Sequence, residues 1–303
     1  MNLTNSQITQ VENDFNLARR RARFESILSA LNWKSTSLFS LYEVTSLIRP
    51  VSETYKGIYP IELKRIIGSE NRYMDFSHNF MPKNNHLRSR WQHLDLVMHK
   101  NEEWPPISVY EITGWYFVRD GNHRVSVAKA NGAEYIDAEI VVLNSMIKIS
   151  PDMTIPELKK KAVNYERNRF LSQYTPSYIP MGDIVFTGVG AYADLVQHIL
   201  VHKYFINQNL DHEISFEEGA ISWYKNVYKP IVDAIREEKL LSFFPGHTEG
   251  DMYLYIIKRW DEEKKFNSEM SVHEVTSKVK KETKESKRKQ KQKKFVDSQN
   301  VTE

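Results

Sequence analysis

The sequence predicts an α+β protein with a long leading helix, a strand–helix–strand unit near its middle and a mostly helical second half. Two observations carry that reading. Ile8, Val11, Phe15, Ala18 and Ala22, then Ile27, Leu28 and Leu31, fall mostly three or four residues apart, the period of a helix with one apolar face. Near position 120, two apolar runs, Trp115 to Val118 and Ile136 to Val142, flank Val125, Ala128 and Ala130 at near-helical spacing. The inner run stops at Asn131-Gly132, a helix C-terminal signal.

The first helix is predicted from Ser6 to Leu31, and Asn32-Trp33 breaks its pattern. Its polar face carries Arg19, Arg20, Arg21 and Arg23, read as a solvated face with a nucleic-acid contact as the alternative. Ser40-x-x-Glu43 matches a capping box for a short helix to Leu47 or Ile48, ended by Pro50. Ile58 to Ile67 reads as a strand or short helix. The polar loop Gly68 to Phe76 places Arg72 and Asp75 either as a structural pair or as servants of a site. A helix from Leu87 to His99 includes Arg88, Arg90, Trp91 and His93, and Trp104-Pro105-Pro106 then forces an extended chain into a strand from Ile107 to Ile112.

Beyond Val142, Thr154-x-x-Glu157 with Pro156 opens a helix to about Gln173. A Pro/Gly-rich connection runs from Tyr174 to Gly190. Helices are expected at Ala191–Asn207, Ser215–Tyr228, Ile231–Lys239 and Thr248–Lys265, with Pro230 kinking or breaking the second from the third. From Asn267 onward the chain is poor in apolar residues, and the expectation is disorder or a frayed helix. The expected organisation is therefore a helical segment 1–50, a domain 51–150, a helix and linker 151–190, a helical domain 191–266 and a basic tail 267–303.

Composition narrows the function. The 41% hydrophobic content suffices for a packed core, and no apolar run approaches a membrane span. The N-terminal residues show no secretory pattern, so a soluble cytoplasmic protein is expected. Zero cysteine excludes disulfides, thiolate metal sites and cysteine nucleophiles. Ten Lys/Arg against four acids from Lys278 to Glu303 give that segment +6, so with a whole-chain charge of +3 the first 277 residues carry −3. The basic character is a tail, and DNA or RNA contact through it is a candidate property.

The chemistry concentrates in Asp120-Gly121-Asn122-His123-Arg124, where a strand gives way to a helix. There the first helical N–H groups lack partners and the dipole favours an anion. Gly121 lets the backbone come close, Asn122 and His123 add polar groups, and Arg124 offers a two-point donor. The other reading of the turn is a cap, with Asp120 as N-cap and His123 and Arg124 solvated. His198 and His202 have metal-ligand spacing on a helix, but no Glu follows to complete His-Glu-x-x-His, so a chance pairing is expected. Thr248 with Glu249 and Asp251 reads as a helix cap, and the aromatic pairs Trp223-Tyr224 and Tyr253-Tyr255 as core or interface anchors. Walker-type and Gly-x-Gly-x-x-Gly sequences are absent.

Pro106-Ile107, Gly114 to Val118, the Asp120–Arg124 turn, Ala128 and Gly132 resemble the ParB/sulfiredoxin superfamily over about Ile58 to Leu143. The resemblance implies an α+β domain whose strand, Gly-x-x-Arg-type turn and helix hold a nucleotide phosphate. Members include partition proteins that bind and hydrolyse CTP, sulfiredoxins that use ATP and a free-serine kinase that uses ADP. Sulfiredoxin chemistry needs a cysteine in the turn, and this chain has none. Partition proteins carry a glutamate and paired arginines where Asn122 and His123 stand, and the acid-Gly-x-His-Arg order is more like the serine kinase. Trp223-Tyr224, Tyr228-x-Pro230 and Phe244 to Tyr253 resemble an uncharacterised bacterial family in which a helical domain follows a ParB-like one.

On this resemblance the expected ligand is a nucleoside di- or triphosphate with Mg²⁺. Gly121, Asn122, His123, Arg124 and Arg72 would bind phosphate, Asp120 and His123 would act in catalysis, and Asp120 would also meet the metal. The expected activity is phosphoryl transfer or nucleotide hydrolysis. The alternative is a DNA-binding or regulatory protein that uses nucleotide as a switch.

Overall fold

The computed structural model describes residues 4–32, 38–100, 102–174 and 179–299. Trp33 and Pro176, which the sequence reading uses as a break and as part of a linker, lie outside them. The chain divides into two compact units, Met1–Lys159 and Lys160–Glu303. The architecture is α+β, with a mixed sheet in the first unit and helices throughout the second.

The first unit holds α1 (Asn5–Asn32), β1 (Phe39–Ser40), α2 (Leu41–Ile48), β2 (Ser52–Glu62), β3 (Ile66–Ser69), α3 (Arg88–His99), β4 (Ile107–Ile112), β5 (Trp115–Asp120), α4 (Asn122–Ala130), β6 (Tyr135–Asn144) and the start of α5 (Ile155–Gln173). The strands form one sheet in the order β1-β3-β5-β4-β6-β2. β4 and β5 make an antiparallel hairpin whose turn residues Thr113 and Gly114 have φ of 47° and 90°, the left-handed pair that matches strand twist. β4 also pairs β6 in parallel, so α4 is the crossover helix between β5 and β6. It ends in a Schellman pair, Gly132 N–H donating to Lys129 O and Ala133 N–H to Ala128 O.

Hydrophobic residues of α4 point both ways. Val125 and Ala128 join Val109, Val118 and Ile140 against the sheet, while Val127 joins Phe15, Ala18 and Trp91 from α1 and α3. The unit is thus layered as sheet, α4, then α1 with α3. The Trp91 indole N–H donates to Ser126 Oγ at 2.9 Å inside that sandwich. Phe117 on the other sheet face lies beside a small crevice that Phe39, Val44, Ile149 and Leu158 also line.

Two local expectations are corrected here. Ser40 precedes α2 but makes no cap, because it is buried in β1 and paired opposite Ser69. The arginines of α1 are not all solvated: Arg19 donates to Asn85 and to Lys83 O, and Arg21 donates to Ala130 O at 3.2 Å.

The second unit holds the rest of α5, then α6 (Ala191–Asn207), α7 (Phe216–Trp223), α8 (Lys229–Glu237), α9 (Glu249–Lys264) and α10 (Val272–Gln299). α7 passes into α8 through a π-helical turn, Tyr224–Tyr228, which absorbs Pro230 at the start of α8 without a break. Trp223 and Tyr253 are fully buried. The Tyr253 hydroxyl accepts from the Trp223 indole at 3.1 Å and bonds His198 Nδ1 at 2.9 Å. His202 bonds Ser222 instead, so the two histidines do not converge on a shared ligand. No helix among the described residues is long and apolar enough to cross a membrane.

Of the two expectations beyond Asn267, disorder or a frayed helix, the structure has a helix, α10, whose start is anchored. Ser271 and Glu274 form a capping box at its start, Val275 and Val279 are buried in the core, and Lys278 and Lys280 pair with Glu263 and Glu238. An apolar edge of two turns and a cap offset the ordering entropy that the charged remainder cannot. Lys281, Lys284, Lys287, Arg288 and Lys289 farther along are exposed.

Asp251 secures the start of α9 and its neighbour at once, accepting from Thr248 N–H and from both Thr187 N–H and Thr187 Oγ1. Replacing Asp251 by Ala leaves those donors unsatisfied. It is expected to lower stability by about 1–3 kcal/mol, visible as an earlier circular-dichroism melt than for Asp251→Asn.

Candidate functional site

Between β5 and α4 the chain turns at Gly121 with φ of +100°. A Cβ there would sit 2.4 Å from Ile107 Cγ2, so only glycine lets the turn press this close to β4. Gly121, not Asp120, is the N-cap of α4, and no side chain caps the helix. The first internal bond runs from Val125 N–H to Gly121 O. The N–H groups of Asn122, His123 and Arg124 therefore open the helix without intrahelical acceptors.

An open cleft of about 320 Å³ lies over this turn. It gathers Asp120, Gly121, Asn122, His123 and Arg124 with Arg72 from the polar loop, Arg90 from α3 and Arg119 from β5. All the sequence-predicted site residues meet here except Asp75, which stands behind Arg72 and holds its Nη1 at 3.0 Å. Arg90 and Arg119 are the additions. Neither has a carboxylate partner among the described residues, and both are exposed.

The Arg124 guanidinium is engaged within the protein. It donates to Pro105 O, to Pro106 O at 2.9 Å and to Asp120 Oδ2 at 2.5 Å. Its side chain is only 12% exposed, whereas that of Asp120 is 69% exposed. Arg124 thus ties the turn to the segment entering β4, a positioning role, and contributes charge to the cleft without a free fork. Asp120 keeps its second carboxylate oxygen without a partner among the described residues.

His123 is buried edge-on against Phe76, with ring centroids 5.4 Å apart. Its Nδ1 and the neighbouring Asn122 Oδ1 have no hydrogen-bond partner. Burial, reinforced by Arg90 and Arg72, holds the His123 pKa down at about 4. At neutral pH the ring is uncharged, able to exchange hydrogen bonds but unable to serve as an imidazolium acid. Lys129, at the far end of α4, is likewise pushed down to about 8 by burial.

The cleft thus combines four arginines with one carboxylate, unpaired helix N–H groups and two buried polar atoms, Asn122 Oδ1 and His123 Nδ1, that lack hydrogen bonds among the described residues. Such a set of donors suits an anion better than a cation. A cation alone would meet mostly positive charge, so Mg²⁺ fits only alongside an anion, on the free oxygen of Asp120.

No family model matches the chain, and no curated protein matches it. A solved structure of a Pnob8-like ParB-N domain aligns with 70% of this chain and 82% of its own, at 11% identity and a TM-score of 0.23. That likeness is too loose to transfer any residue.

The histidine also carries a stability signature. In the unfolded chain His123 takes up its proton near the ordinary value of 6.5, in the native state only near 4. Between those values the native state holds fewer protons, so stability falls as pH drops through the window. Urea midpoints of the wild type should therefore decline more steeply from pH 7 to pH 4.5 than those of His123→Gln; parallel declines would refute the shift.

Proposed function

We propose that the cleft over the α4 turn binds the phosphates of a nucleoside di- or triphosphate, as the ParB/sulfiredoxin-like turn implies. The observation that carries the reading is the pair of exposed arginines, Arg90 and Arg119, which have no carboxylate partner among the described residues and line the same cleft as the open first turn of α4. Helix N–H groups and guanidinium forks are the donors that phosphate oxygens take best. The cleft volume of about 320 Å³ sits at the small end for ligand sites, and its openness to solvent suits a nucleotide whose base projects outward.

Gly121, Asn122 and His123 would meet phosphate through backbone and side chain, with Arg72, Arg90 and Arg119 supplying charge. Arg124 holds the turn in shape. Asp120 would hold a Mg²⁺ that arrives with the nucleotide, since Mg²⁺ is commonly bound by one or two carboxylates plus substrate phosphates, and the ion would neutralise phosphate charge.

Phosphoryl transfer or hydrolysis depends on His123. With a pKa near 4 it is a weak base. A bound phosphate places negative charge beside it and raises its proton affinity, which makes base catalysis conditional on binding. The chemistry would then rest mainly on positioning and charge neutralisation.

Calorimetry with ATP, ADP, CTP, GTP and pyrophosphate, each with and without Mg²⁺, tests the binding. Saturable binding is expected for the wild type, with Arg90→Ala and Arg119→Ala each weakening it by about tenfold or more while leaving the melting temperature unchanged. A folded wild type that binds none of these would overturn the proposal.

A further inference from the structure

On another face of α3 from the cleft residues, Asp14 of α1 meets Asp95 and His99, one turn apart on α3. One ligand atom from each lies within 4.8 Å of the others. His99 Nε2 is 3.1 Å from Asp14 Oδ2 and 3.6 Å from Asp95 Oδ2. A first-row metal held at about 2.0–2.2 Å from each ligand atom sets neighbouring ligand atoms roughly 3.0–3.6 Å apart.

Asp95 is the unusual member. Its side chain is 0% exposed, and among the described residues its Oδ2 makes no well-formed hydrogen bond, lying 3.6 Å from His99 Nε2. Its Oδ1 accepts from Asn131 Nδ2 at 2.8 Å. A buried carboxylate with a free oxygen is costly, and this one faces the other two groups. Burial raises its pKa to about 6 and the nearby Asp14 pushes the same way, against the Asn131 bond and His99.

We propose that Asp14, Asp95 and His99 bind a divalent transition-metal ion, with Zn²⁺ as the best match, that clips α1 to α3. One imidazole nitrogen and two carboxylate oxygens suit zinc, manganese or iron, whereas Ca²⁺ and Mg²⁺ prefer all-oxygen sets. Asn131 orients Asp95 as an outer-shell donor, the kind of support metal ligands receive. Asp14 and His99 side chains are each 32% exposed, which leaves a path for the ion and room for water to complete its coordination.

The test uses the full chain, stripped of metal with a chelator, then titrated with Zn²⁺ and with Co²⁺. One equivalent of Zn²⁺ is expected to bind and raise the melting temperature, and Co²⁺ to give the visible absorption of a nitrogen–oxygen site. Asp14→Asn and His99→Ala, both at partly exposed positions, should weaken binding by about a hundredfold or more while keeping the circular-dichroism spectrum of the metal-free wild type. Absence of stoichiometric binding, or binding unchanged in both variants, would overturn the assignment.

Discussion

Burial of α4 on both faces governs the first unit. Its Val125 and Ala128 face the sheet, its Val127 faces α1 and α3, and Ser126 receives the indole N–H of a completely buried Trp91. A helix held this way cannot slide or tilt without opening one of two apolar layers. Its first turn is therefore a fixed object, and the cleft inherits that rigidity. Gly121 pressed against Ile107 and Arg124 tied to two carbonyls complete the fixation. The residues that expose donors are thus separate from those that hold them in place.

That division explains the electrostatics. Arg124 and Arg72 are ion-paired with Asp120 and Asp75, while Arg90 and Arg119 come from different elements and have no carboxylate partner among the described residues. Concentrating like charges is unfavourable by itself, and so is leaving Asn122 and His123 without partners. Both costs fall where the α4 dipole already favours an anion. Under the proposed function, a phosphate-bearing ligand would relieve both together.

Much of this was legible in the chain because it is written locally. Gly114, Gly121 and Gly132 all take positive φ, and each marks a boundary that the spacing of apolar residues also marks. The helices of the second unit follow their caps, as Ser215 with Glu218 and Thr248 with Asp251 show. What stayed hidden is long-range. Nothing near Arg124 announces the carbonyls of Pro105 and Pro106, so its guanidinium reads as free. Arg90 sits inside a legible helix, but the face it presents depends on how α3 packs against α4. α10 is the converse case: Ser271-x-x-Glu274 and the spacing of Val272, Val275 and Val279 were present, and the density of lysine obscured them. Asp14, Asp95 and His99 are brought together only by the pairing of α1 with α3.

His123 is a buried group held neutral at pH 7, and under the proposed function its proton affinity responds to a bound anion. Its ring can be followed directly by NMR, as the pH dependence of its carbon-bound proton shifts without and with saturating pyrophosphate. The account predicts titration near 4 for the free protein and a clear upward move, with shifted resonances at constant pH, once pyrophosphate is present. A ring that titrates near its ordinary value of 6.5, and does not respond to pyrophosphate, would contradict it.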